Sequence, residues 1–209
     1  MKICIGIISY LPDSEEKRLF RQIKLLQLIE SCNKLFNLPI VIIAQNWKDF
    51  EVSSCIVYRY DDPLGIVGAR KELRRVFLES DYDYLVMLDD DCVLSGSSED
   101  GHNYIRQIEE HPGMCGIFNI TLLKLFAISK EMFSMIDYGN GRVEDGDFFE
   151  DILLVNSIKK LYPNKVFAFN HGNLSEVSNN FNDPYSTWFH GQFNKHEIGD
   201  KTRAILRNL

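Results

Sequence analysis

Three consecutive aspartates, Asp89, Asp90 and Asp91, close the apolar run YLVML and lead into a second one, CVL. Neighbouring carboxylates repel: at about 4 Å a like-charge pair costs roughly 1 kcal/mol in water and about 4 kcal/mol at an effective dielectric of 20. At the end of a buried strand, which is partly desolvated, such a triplet is costly without a cation. Side chains two apart on a strand share a face. Asp89 and Asp91 can therefore hold one ion together, with Asp90 turned elsewhere or towards a ligand. Hard oxygen donors suit Mg²⁺ or Mn²⁺, which keep positions open for waters and phosphate oxygens. The competing reading is a solvated acidic loop that caps the next helix. The position of the triplet directly after YLVML favours the cation.

Four further groups could act with it. Glu150 and Asp151, in GDFFEDILL, form a second acidic pair, for which an acidic first helical turn is the plainer reading. Arg70 follows Gly65, Gly68 and Ala69 in DDPLGIVGARKEL. Glycines allow a tight loop and close backbone approach, and a helix start with Arg70 suits a phosphate or orients the acidic site. His171, in KVFAFNHGN, and His190, in STWFHGQF, are lone histidines, for which a structural or exposed place is the plainer reading.

Strands and helices must bring these residues together. Apolar runs of strand length occupy 3–9, 38–44, 54–60 and 84–89, and a short one lies at 165–170. Helical spacing runs over 14–36, where Leu19, Ile23 and Leu26 share one face with Ile29 nearby. It recurs over 68–80, with Ala69, Leu73, Val76 and Phe77 inward, and over 103–111 and 148–162. Asp13 with Glu16 has the spacing of a capping box. Residues 115–129 read as two strands or a hairpin, whereas 94–103 and 171–186 read as loops. Strands alternating with helices imply βαβ units around a largely parallel sheet. Their unbroken apolar runs fit strands covered on both faces. Ligands of such sheets bind beyond the carboxyl ends of the strands, where the aspartates fall.

The totals set bounds. A chain of 209 residues with 45% hydrophobic content can build one α/β domain with a sizeable core. The net charge of −7 argues against general attraction to nucleic acid or anionic membranes. Five scattered cysteines without metal-ligand spacing read as free thiols of a reducing cytosol, so a cytoplasmic location is expected. The apolar stretch near residue 3 is too short to span a bilayer.

A strand, a D-x-D and a later E-D on a helix together resemble the nucleotide-sugar-dependent glycosyltransferases of the GT-A fold, in particular the inverting, family-2-like ones. The pattern covers most of residues 3–173. The resemblance implies a single GT-A-like domain over 1–209. It has a mostly parallel central sheet flanked by helices and a small mixed or antiparallel acceptor-side part. Residues 1–94 form the nucleotide-sugar-binding half, 95–173 the acceptor and catalytic half, and 174–209 a C-terminal tail. It implies that Asp89, Asp91 and His171, with His190 as the rival of His171, hold Mn²⁺ or Mg²⁺ against the diphosphate of a nucleotide-diphosphate sugar, most simply a UDP-sugar. Asp89 or Asp90 would reach ribose or sugar, and Arg70, Gly68 and Asp62 would line the donor side. Asp151, with Glu150 as partner, would be the base.

The sequence departs from the family pattern in two places: Lys71 replaces an asparagine, and the aspartate-rich turn expected after the second strand is replaced by AQNWKDF, leaving Asp61 and Asp62 as substitutes. A non-catalytic binding or interaction subunit is the alternative reading. Sugar-nucleotide pyrophosphorylases are disfavoured because no glycine-rich phosphate loop follows the first strand. Phosphatases of the aspartyl-phosphate type are disfavoured because their D-x-D follows the first strand. The acceptor stays open among a glycan, a glycolipid, a protein and a modified nucleic acid. The tail, basic through Lys195, Lys201, Arg203 and Arg207, is a candidate contact for a protein partner or an anionic surface.

Overall fold

The computed structural model describes residues 1–90, 92–111, 115–117, 125–135, 166–168 and 175–178. Asp91, Glu150, Asp151, His171, His190, the helix expected over 148–162 and the basic tail lie outside them.

The amino-terminal part alternates strand and helix. It runs β1 (Ile3–Tyr10), α1 (Glu15–Leu35), β2 (Ile40–Gln45), β3 (Ile56–Tyr60), α2 (Gly65–Glu79) and β4 (Tyr84–Asp89). Then follow β5 (Cys92–Ser95), α3 (Ser98–Glu110), β6 (Cys115–Ile117), β7 (Phe126–Ser129), α4 (Lys130–Ser134), β8 (Val166–Ala168) and β9 (Ser175–Ser178). Among the described residues seven strands form one sheet in the order β3-β2-β1-β4-β7-β6-β8. The β1, β2, β3 and β4 pairings are parallel, as is β6 with β8, whereas β7 runs antiparallel to both its neighbours. A separate antiparallel pair joins β5 to β9. The expected architecture is thus present: a mostly parallel sheet flanked by helices, with a small mixed part.

The unbroken apolar strands divide their side chains between two cores. Ile3, Ile5 and Ile7 of β1, Ile40 and Ile42 of β2, and Val86 and Leu88 of β4 face the layer of α1 and α3. Cys4, Ile8, Val41, Ile43, Leu85 and Met87 face α2 and α4. Each fully buried isoleucine or leucine contributes about 1.5–3 kcal/mol of transfer free energy. In α2 the predicted set Ala69, Leu73, Val76 and Phe77 is the buried face. Gly6 lets Leu73 reach the sheet, since a Cβ there would lie 2.8 Å from that side chain.

The structure corrects five local expectations. Leu19, Ile23 and Leu26 do share a face of α1, but that face is exposed; Leu25, Leu28, Ile29, Cys32 and Leu35 are buried instead. Asp13 and Glu16 form no capping box, because Ser14 is the N-cap and the Asp13 carboxylate accepts from Asn46 Nδ2 at 3.1 Å. The expected loop at 94–103 is largely β5 and α3, the helix closed by a capping box between Ser97 and Asp100. The expected loop at 171–186 contains β9. α2 also starts earlier than expected, at Gly65, whose φ of +68° suits glycine at the tight turn from β3.

Candidate functional site

The chain order creates a crevice. From β1 the chain crosses one face of the sheet through α1 and pairs β2 on one side of β1. It reaches β4, on the other side of β1, through α2 on the opposite face. β2 and β3 therefore lie on one side of β1 and β4 on the other, with α1 and α2 on opposite faces, and such a switch point opens a ligand crevice outside the carboxyl ends of β1 and β4. The residues at those ends are Ser9 and Tyr10 of β1, Asp89 of β4 and Asp90 in the turn that follows it.

Each described aspartate is held by an arginine from a different helical layer. Arg70, on the second turn of α2, donates from Nη2 to Asp89 Oδ1 at 2.6 Å. Its side chain is only 8% exposed, while that of Asp89 is 33% exposed. The guanidinium thus backs the carboxylate from inside the protein, and the carboxylate still reaches the crevice. The Cys92 thiol donates to the Asp89 carbonyl at 3.0 Å and fixes the turn from behind.

Asp90 points into the protein, its side chain 13% exposed. Arg21 of α1 approaches Oδ1 at 3.4 Å, and the Tyr10 amide donates to Oδ2 at 3.2 Å. Ser9 also bonds the carboxyl group. Burial raises the Asp90 carboxyl above its ordinary range, and Arg21, Ser9 and the Tyr10 amide oppose that rise.

The turn after β2 takes the place of the expected acidic one. Gln45 Oε1 accepts from the Leu64 amide at 2.7 Å and ties the β3–α2 turn to the end of β2. Asn46, with a left-handed φ of 57°, donates from Nδ2 to the Leu11 carbonyl at 2.8 Å and to Asp13. Arg18 of α1 donates to the Asn46 carbonyl at 3.0 Å. The buried Trp47 donates from Nε1 to Ser9 Oγ at 3.2 Å. Asn46 and Lys48 hold the Asp13 carboxyl below the usual carboxylate range.

Of the residues singled out from sequence, the structure brings Arg70 and Asp89 into contact and sets Asp90 beside them. Gly68 lies within α2, where a Cβ would meet Leu64 Cβ at 3.0 Å, and Asp62 is exposed in the bend before α2. The carboxylate chemistry fits a hard divalent cation, with Asp89 the described member of the predicted ligand set. Among the described residues no group of three or more His, Cys, Asp or Glu could hold a metal ion. Sequence reasoning missed Ser9, Arg21 and Trp47. The available signal was a pair of arginines three residues apart on α1, Arg18 and Arg21, and so on one face of the helix. Among the described residues no helix is long and apolar enough to cross a membrane.

No protein-family model and no curated protein matches the sequence. Solved structures do match its fold. A protein of Desulfovibrio desulfuricans G20 described as a nucleotide-diphospho-sugar transferase superposes with a TM-score of 0.57 at 11% identity, covering 100% of this chain and 98% of that one. Glucosyl-3-phosphoglycerate synthase of Mycobacterium tuberculosis, solved with Mn²⁺, UDP and phosphoglyceric acid, gives 0.57 at 13% identity over 98% of this chain and 76% of that one. CMP:2-keto-3-deoxy-manno-octonic acid synthetase with CTP gives 0.52 at 9% identity over 81% and 89%. What these structures share with the chain is the fold, an α/β architecture with a mostly parallel central sheet flanked by helices.

Proposed function

We propose that this chain is a glycosyltransferase that moves a sugar from a nucleotide-diphosphate sugar, most simply a UDP-sugar, to an acceptor hydroxyl with inversion. The observation that carries the reading is the Arg70-backed Asp89 at the carboxyl end of β4, beside the β1–β4 switch point. Solved proteins of this fold that bind UDP with Mn²⁺, or CTP, support it. In this reading Asp89 and Asp91, with His171, hold Mn²⁺ or Mg²⁺. A cation so held offsets charge on the leaving diphosphate. Arg70 keeps Asp89 in place. Asp151, with Glu150 beside it, takes the proton of the acceptor hydroxyl as its oxygen attacks the anomeric carbon. The bond from that carbon to the diphosphate breaks, and its electron pair leaves on the phosphate oxygen.

Calorimetry with UDP, with and without Mn²⁺, tests the reading. Binding that needs Mn²⁺ and is lost in Asp89→Asn and Asp91→Asn supports it. Failure of UDP, GDP, CDP and TDP alike to bind folded protein rejects it. A second reading, nucleotide binding without turnover, is favoured by one observation: Gln45 and Asn46 spend hydrogen bonds on the protein's own backbone at the turn after β2. Donor hydrolysis or transfer by the purified chain distinguishes the two.

A further inference from the structure

The middle aspartate of the triplet has a different environment from Asp89. Its carboxylate is bonded by three donors, the Arg21 guanidinium, the Tyr10 amide and the Ser9 hydroxyl, with the Asp89 carboxylate as a like-charged neighbour. The direction of the Ser9 bond follows from its other partner. Indole nitrogen can only donate, so Trp47 Nε1–H occupies a lone pair of Ser9 Oγ and leaves the hydroxyl proton for Asp90. A directed chain therefore runs from Trp47, in the loop after β2, through Ser9 of β1 to Asp90 in the acidic turn. Arg21 joins the same carboxylate from α1. Ser9 and Trp47 are buried, so the chain is shielded from water, and buried polar groups of this kind act as a unit.

We propose that Asp90 is a positioning residue rather than a ligand of cation or donor: it fixes the acidic turn to α1 through Arg21 and couples that turn to the Trp47 loop through Ser9. With Arg70 holding Asp89 from α2, the turn is anchored from both helical layers. The inference rests on the proposed occupant of the turn, a divalent cation with a nucleoside diphosphate.

The test uses the full chain carrying Trp188→Phe, which leaves Trp47 as the sole one of the two tryptophans. Mn²⁺·UDP affinity and Trp47 emission are measured in this background and with Ser9→Ala, Asp90→Asn and both together. Asp90→Asn and Ser9→Ala each weaken binding, Asp90→Asn by about tenfold, and the double variant is no weaker than Asp90→Asn alone. Arg21→Lys restores part of the affinity that Arg21→Gln removes. If Ser9→Ala and Arg21→Gln bind as the background does while Asp90→Asn abolishes binding, Asp90 is itself a ligand and the proposal is overturned. If the background protein binds no nucleotide, the functional reading fails and the coupling is judged from emission alone. Asp90→Asn then shifts the Trp47 emission, because a charge is removed one hydroxyl away from the indole. Unchanged emission in folded Asp90→Asn overturns the coupling whatever the nucleotide result.

Discussion

Gly101→Ala gives a prediction whose sign depends on the structure. Gly101 is buried in the first turn of α3, against the carboxyl-terminal turn of α1. On propensity alone, alanine in a helix is favoured over glycine by about 1 kcal/mol. A Cβ at this position, however, would lie 2.0 Å from the Leu35 carbonyl oxygen, 2.7 Å from its carbon and 3.2 Å from its Cα. All three are backbone atoms, so no rotamer change relieves the clash. Reaching ordinary contact at 3.4 Å requires α3 and α1 to separate by more than 1 Å. That would disturb Tyr104, which packs on Phe36 and donates to the Leu125 carbonyl at 2.9 Å. Overpacking of this kind costs about 1–3 kcal/mol, and more where backbone must move. The net expectation is a loss of about 2 kcal/mol, or roughly 4–8 °C in melting temperature for a chain of this size. Thermal denaturation followed by circular dichroism measures it. A melting temperature equal to or above that of the unmodified chain would refute the close α1–α3 contact.

Three other outcomes follow from the same coordinates. Arg70→Lys keeps the charge but loses the planar fork that backs Asp89, and Mn²⁺·UDP affinity falls by about tenfold or more in calorimetry. Burial pushes the Cys4 and Cys32 thiols up to about 12; iodoacetamide at pH 8 therefore spares both in the native protein and labels them after denaturation, as peptide mass spectrometry will show. Asn46 and Lys48 lower the Asp13 carboxyl, so the stability that this group contributes is present above its unfolded value and is lost as pH falls through its folded one. Carbon-detected NMR titration of Asn46→Ala should find Asp13 moved up towards its ordinary 3.8.

The sequence made some of this legible and hid the rest for physical reasons. α2 was readable because Ala69, Leu73, Val76 and Phe77 form a single apolar stripe. The strands were readable as unbroken apolar runs. The extent of α1 was readable too, but its buried face was not, because it carries apolar residues on more than one face. Its buried residues all lie from Leu25 onward, where it packs on the sheet and α3. Upstream, Leu19 and Ile23 are exposed, and Arg18 and Arg21 reach the strand ends instead. The stretch at 94–103 has the composition of a loop, yet Ser97 and Asp100 carry the S-x-x-D signal of a helix start. β9 depends on pairing with the distant β5. In the site, the acidic triplet announced itself by charge density. The Trp47–Ser9–Asp90–Arg21 chain did not, because its members come from four separate segments and none is unusual alone.

The central place of β1 also governs how the chain is made. β2 can pair with one edge of β1 soon after synthesis, but the other edge is matched only when Ile3 meets Tyr84 and Ile8 meets Asp89. At translation rates of about 5–20 residues per second, that edge waits for roughly 4–15 s. During the wait, an isoleucine-rich strand exposes unpaired amide and carbonyl groups, an arrangement prone to join a neighbouring chain. The acidic turn arrives on the same strand that ends this exposure. Closure of the sheet and assembly of the Asp90 anchor on Ser9 and Tyr10 are therefore one event in the birth of the molecule.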